Sequence, residues 1–184
     1  MARFYPTNPQ NFHGSDGESI VYKALQKLDN SYIVLHSYHW LGEECRHRSE
    51  GEVDFLVLHP GQGILAIEVK AGGIVYHDGT WLQVNRHVQT QKEINPLGQA
   101  AESQYRILSL LRRKFYQADC PMVCRAAWFP SVILNKNIPL PLEADRVILL
   151  DEDSLANPKQ ALDQAFNFWQ KNLNQASSMT ASQC

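Results

Sequence analysis

Asp54, Glu68 and Lys70 sit in two neighbouring apolar runs, VDFLVLHP and GILAIEVK, separated by a short loop bearing Pro60, Gly61 and Gly63. Two such runs around a turn predict a β-hairpin. Side chains alternate faces along a strand, so Glu68 and Lys70 share one face while Ile67 and Val69 take the other. With residues 59–63 as the loop, Leu58 pairs with Ile64 and Asp54 falls opposite Glu68. Opposed residues hold their Cβ atoms about 4.5–5.5 Å apart. Two carboxylates and an ammonium then share one patch of an apolar sheet, and each carboxylate resists desolvation and repels the other. A divalent cation resolves that conflict. Mg²⁺ (or Mn²⁺) takes one or two carboxylates plus water and phosphate oxygens, and activates bound water for attack on a phosphodiester. Lys70 is then expected to orient that water or to neutralise the charge of the transition state. The bland alternative is an Asp–Lys–Glu ion-pair cluster on a solvated strand face.

The elements that hold these residues are readable from periodicity. Ile20, Val21, Ala24, Leu25 and Leu28 recur at helical spacing after GSDGES, predicting an amphipathic helix over about 16–29. The preceding twelve residues read as an irregular arm. SYIVLHSYHW predicts a strand over about 31–38, and LGEECRHRSEG a charged loop. After the hairpin come strands at about 73–77 and at TWLQVN, joined by the Asp78-Gly79 turn. Asn95-Pro96 caps a helix over about 96–117, stepped by Leu97, Ala101, Gln104, Leu108, Leu111 and Phe115. VCRAAWF and RVILL read as two further strands. Asn157-Pro158 opens a last helix to about 173, followed by a polar tail. This order predicts an α/β (α+β) domain, a central mixed β-sheet flanked by helices.

With 44% hydrophobic residues, four Trp, seven Tyr and seven Phe, the 184 residues suffice for one packed core. The net charge of −2 means that any phosphate-binding surface is local. No apolar run approaches the 18–20 residues or so that span a bilayer, and the N-terminus lacks a signal-peptide layout, so a cytoplasmic location is the expectation. Cys45, Cys120, Cys124 and Cys184 form no C-x-x-C pair and read as buried or half-buried thiols.

GEVDFLVLHPGQGILAIEVKAGG resembles the core signature of the PD-(D/E)xK nuclease superfamily, with Asp54 as first acid and Glu68-Val69-Lys70 as E-x-K. More narrowly, GES before a helix, GEVDF, IEVK, DG-W and NPLGQA opening a helix, in that order, resemble the nuclease-related domain known as NERD. The similarity covers about residues 14–150 of a single domain spanning 1–184. It implies a restriction-endonuclease-like fold and a metal-dependent hydrolysis of DNA in its processing or repair. It further implies Asp54 and Glu68 as ligands of Mg²⁺ or Mn²⁺, Lys70 as catalytic partner, and Glu18 as an additional ligand from the first helix. Gln99 matches the glutamine of the second helix. Some superfamily members carry Q-x-x-x-Y there; here Ser103 stands four residues on and Tyr105 two further.

Each of these has a plainer reading. Glu18 in a first helical turn complements the helix dipole. Glu52, on the face of Asp54, reads equally as a supporting group or a solvated charge. Arg46 and Arg48, in the charged loop, are candidate phosphate contacts, whereas Arg112, Arg113 and Lys114 suit the dipole of a last turn. His36 and His39, three apart on a strand, fall on opposite faces, and the tryptophans read as core. The chain has no G-x-x-x-x-G-K-[ST] and no G-x-S-x-G. The competing function is a non-catalytic nucleic-acid-binding or interaction module of the same fold. Such a module fits the N-terminal part of a longer protein, with a helicase module in the same or a partner chain.

Overall fold

The computed structural model describes residues 1–7, 12, 15–44, 47–85, 90–116, 119–135, 137, 140–141 and 144–173. Its centre is the expected hairpin. Strand β3 (His47–His59) pairs antiparallel with β4 (Gly63–Val69), Leu58 against Ile64. Gly63 closes the turn with φ of +100°, and a Cβ there would lie 2.4 Å from the Met122 carbonyl oxygen, so only glycine fits. Every residue of β4 is buried, because both faces of the sheet are covered.

Around this pair the main sheet runs β1 (Arg3–Tyr5), β2 (Ile33–Glu44), β3, β4, β8 (Val123–Trp128) and β9 (Leu149–Leu150). The β2–β3 and β3–β4 pairings are antiparallel, and the remaining three are parallel. Helices α1 (Asp16–Leu25) and α3 (Pro158–Leu173) pack on one face, over Phe55, Leu65, Ile67, Cys124 and Trp128. Helix α2 (Pro96–Lys114) covers the other through Ile107, over Leu56, Ile64, Ala66 and Val123. Buried Gln104 ties α2 to β8, donating to the Val123 carbonyl at 2.6 Å and accepting from Arg125 Nη1 at 2.6 Å. A second antiparallel sheet comprises β5 (Gly73–His77), β6 (Thr80–Asn85) and β7 (Thr90–Ile94). Trp81 of β6 stacks on Phe129 at 5.2 Å and joins it to the main core.

Several expectations are corrected. The N-terminal arm is partly strand: Arg3 donates to the Tyr32 carbonyl, and Ala2 and Phe4 fill the core. Ala2 also takes the Leu28 carbonyl, and α1 stops at Leu25 with turns carrying the chain to that contact. Of the stretch read as a charged loop, the described residues 41–44 and 47–51 instead lengthen β2 and β3 into a ribbon, Glu43 paired with Arg48. Most of RVILL is a 3₁₀ turn, Arg146–Ile148, capped by the Asp145 side chain on the Val147 N–H; only Leu149–Leu150 pair as strand. Strand β7 went unread. Cys124 is buried and Cys120 half-buried, while Cys45, Cys184 and the tail from 174 lie outside the described residues.

Helix α1 starts where Ser15 accepts the Glu18 N–H at 3.3 Å, and Asp16 and Glu18 complement its dipole. Gly17 rests against the chain after β4: an added Cβ would meet Ala71 Cβ at 2.5 Å. Gly17→Ala is therefore expected to lower Tm by several degrees, overpacking by about 1–3 kcal/mol outweighing the better helix propensity. Thermal unfolding checks this; a raised Tm would contradict the contact.

Candidate metal and phosphodiester site

The sheet changes at Asp54. Leu35 and Leu56 pack toward α2 and Phe55 toward α1, as alternation demands, yet Tyr38 and Val53 pack toward α2 again. The break falls at Ser37, which adopts φ of +51°, and at Asp54, the two positions missing from the otherwise continuous β2–β3 pairing. The β3–β4 ladder also ends one step short of Asp54, at Phe55–Ile67. Asp54 is thus loosened from both neighbouring strands, and its side chain supplies the missing bond: Oδ2 accepts the Val69 N–H at 2.7 Å. That bond anchors the carboxylate beside the end of β4.

Glu68 is buried on β4, and Lys70 follows it with its backbone held to the Trp128 carbonyl. Lys70 Nζ lies 2.5 Å from Glu68 Oε1. Burial is the main cause pushing both acids up, Asp54 to about 7, with the Glu68 charge the next contribution at Asp54. Lys70 works against the rise at Glu68. Each acid therefore favours a proton, or a cation in its place.

Two cavities open onto this patch, and Asp54 and Lys70 line both. The first, of about 660 Å³, is bounded by Ser15, Asp16 and Glu18 of the α1 end and by Gly72 and Gln83 across from them. The second, of about 400 Å³, is walled by Glu68, Glu52, Trp40 and the α2 residues Gln99, Glu102 and Ser103. Gln99 is an exposed residue of the first α2 turn, set there by the Asn95 cap on the Gly98 N–H and by Pro96. Trp40 lies over Gly51, where a Cβ would fall 2.2 Å from the ring.

The structure therefore brings Asp54, Glu68, Lys70, Gln99 and Glu52 around one cavity, with Glu18 reaching Asp54 through the other. Glu18 Oε2 lies 2.9 Å from His36 Nε2, a buried ring packed among Phe12, Tyr22 and Phe55. His39 is exposed beside Glu52, 3.8 Å away. Arg48 belongs to a strand, which removes the loop argument for it, and Arg46 lies outside the described residues. Glu102 and Ser103 were not anticipated as site residues; Glu102 stands three after Gln99, the helical spacing that shares a face.

Among the described residues no three His, Cys, Asp or Glu side chains are grouped to hold a metal ion. Two carboxylates in an open polar cavity suit a hard cation that keeps most of its water, as Mg²⁺ does, and not a closed cage. Also among the described residues, no helix is long and apolar enough to cross a membrane.

Comparison with known proteins agrees with this architecture. The model of NERD, the nuclease-related domain, matches residues 13–134, which take in α1, the β3–β4 hairpin, the second sheet and α2, whereas α3 lies beyond it. No curated protein and no solved structure matches. With the family's model covering most of the chain, and Asp54, Glu68 and Lys70 grouped in the matched part, the protein belongs to the nuclease-related domain family.

Proposed function

We propose that this domain hydrolyses phosphodiester bonds of DNA with Mg²⁺ or Mn²⁺ held by Asp54 and Glu68, and by Glu18 on the α1 side. The observation that carries this reading is a pair of proton-favouring carboxylates, half-buried Asp54 and buried Glu68, beside Lys70 at the seam of two open cavities. The cation supplies an activated water and neutralises charge on the phosphate. Asp54, pinned by the Val69 N–H, keeps its orientation without reorganisation. Lys70 donates to the attacking water or to a phosphoryl oxygen, exchanging its contact with Glu68 for one with substrate. Gln99, at the mouth of α2, hydrogen-bonds the strand or the water. DNA is the partner on this reading, and a helicase module in the same or another chain is a natural source of unwound strand.

One observation favours the alternative of a non-catalytic nucleic-acid-binding module: Glu68 already pairs with Lys70, and Glu18 with His36. Calorimetry with Mn²⁺ separates the two. The wild type is expected to bind, and Asp54→Asn to bind at least about tenfold more weakly. Equal heats from both proteins would leave the ion-pair reading standing.

A further inference from the structure

We propose that the two cavities form one trough for a continuous DNA strand, so that the phosphodiester at Asp54 and Lys70 carries nucleotides on both sides and is cut within the chain. This rests on the nuclease reading and adds the form of the substrate. Helices α1 and α2 cover opposite faces of the main sheet, and each contributes residues of its N-terminal half to a different cavity. Asp54 and Lys70 are common to both walls, so open space extends from the reactive patch in two directions. An enzyme that trims ends needs a wall just beyond the scissile bond, to stop the terminal nucleotide. Here each side offers a volume of the size that accommodates small-molecule ligands.

A second observation points to an occupant. Trp40 lines the smaller cavity, its side chain is buried, and its indole N–H has no hydrogen-bond partner among the described residues. Buried donors are satisfied in folded proteins with few exceptions. A phosphate or base oxygen of the strand is an acceptor for it. Gln83 lines the larger cavity, though its amide is engaged with the Ala71 carbonyl. The walls carry Asp16, Glu18, Glu52, Asp54, Glu68 and Glu102 against Lys70, so a polyanion enters only with divalent cations to bridge it.

The experiment compares a circular single-stranded DNA with its linearised, end-labelled form, each with Mn²⁺ and the wild-type chain. The circle is expected to be cut within a few-fold of the linear rate, and the earliest labelled products of the linear DNA to be long fragments. Stepwise shortening of the linear DNA with the circle intact would overturn the trough and leave the nuclease reading in place. Two intact substrates would overturn both. Trp40→Phe, which keeps an aromatic ring at this position and removes the donor, is expected to raise KM several-fold with kcat within about twofold. An unchanged KM would count against a strand in the smaller cavity.

Discussion

Lys70→Ala is expected to lower Mn²⁺-dependent DNA cleavage by about 10²–10⁴-fold while Mn²⁺ affinity holds or rises. The first figure is the range for a positioned group that transfers or stabilises a proton or developing charge in the transition state. The second follows from charge. Lys70 Nζ is the cation nearest Glu68, and it lowers the proton affinity of both Glu68 and Asp54. Deleting it leaves half-buried Asp54 and buried Glu68 with more need of a divalent ion. A residue that only held the strand together would instead lose metal binding and cleavage together. Lys70→Arg is not expected to restore the rate, because a planar fork replaces a compact point charge. Single-turnover cleavage with parallel calorimetry makes the test, and Asp54→Ala sets the background. Cleavage by Lys70→Ala equal to the wild type would end its catalytic assignment, and equal cleavage by all three proteins would mark the activity as a contaminant.

What the sequence made legible was the part built from strong local patterns. The β3–β4 register followed from alternation and loop length, and Leu58 does pair with Ile64. The helix cap at Asn95 is local chemistry, and it holds. The break at Ser37 and Asp54 was not legible, because nothing in HSYHW or GEVDF departs from a strand pattern. It is a tertiary feature, and it determines that Asp54 bonds a β4 backbone amide where a ladder pair was expected. The β2–β3 extension and β7 escaped for a different reason. Their residues are mostly charged or polar, and β7 is exposed along nearly its whole length, so on β7 no buried face imposes a period of two. His36 read as a lone strand histidine, since its partner Glu18 lies across a helix–sheet contact that no spacing encodes. Glu102 was within reach, one helical turn from Gln99.

The same two carboxylates set an expected pH dependence of stability. Burial, and then the Glu68 charge, raise Asp54 from its ordinary value near 3.8 to about 7 in the folded chain. Between those values the folded state keeps a proton that the unfolded state has released. Stability therefore falls as pH rises from about 4 to about 7, and the loss is complete above that window. Glu68, also raised by burial, acts in the same direction. Asp54→Asn retains an oxygen to accept the Val69 N–H but carries no charge. Without metal, it is expected to melt several degrees above the wild type at pH 8, the gap closing as pH approaches 4. Mn²⁺ at pH 8 should reverse the order, since an ion that binds only the folded site stabilises the tighter-binding wild type more than the variant. Thermal melts at pH 4, 6 and 8, with Mn²⁺ and with a chelator, follow both effects. A metal-free variant less stable than the wild type at pH 8 would mean that Asp54 is an ordinary paired carboxylate. The ion-pair cluster would then account for the patch, because stability given up at neutral pH and regained with a cation is what separates a prepared metal site from a salt bridge.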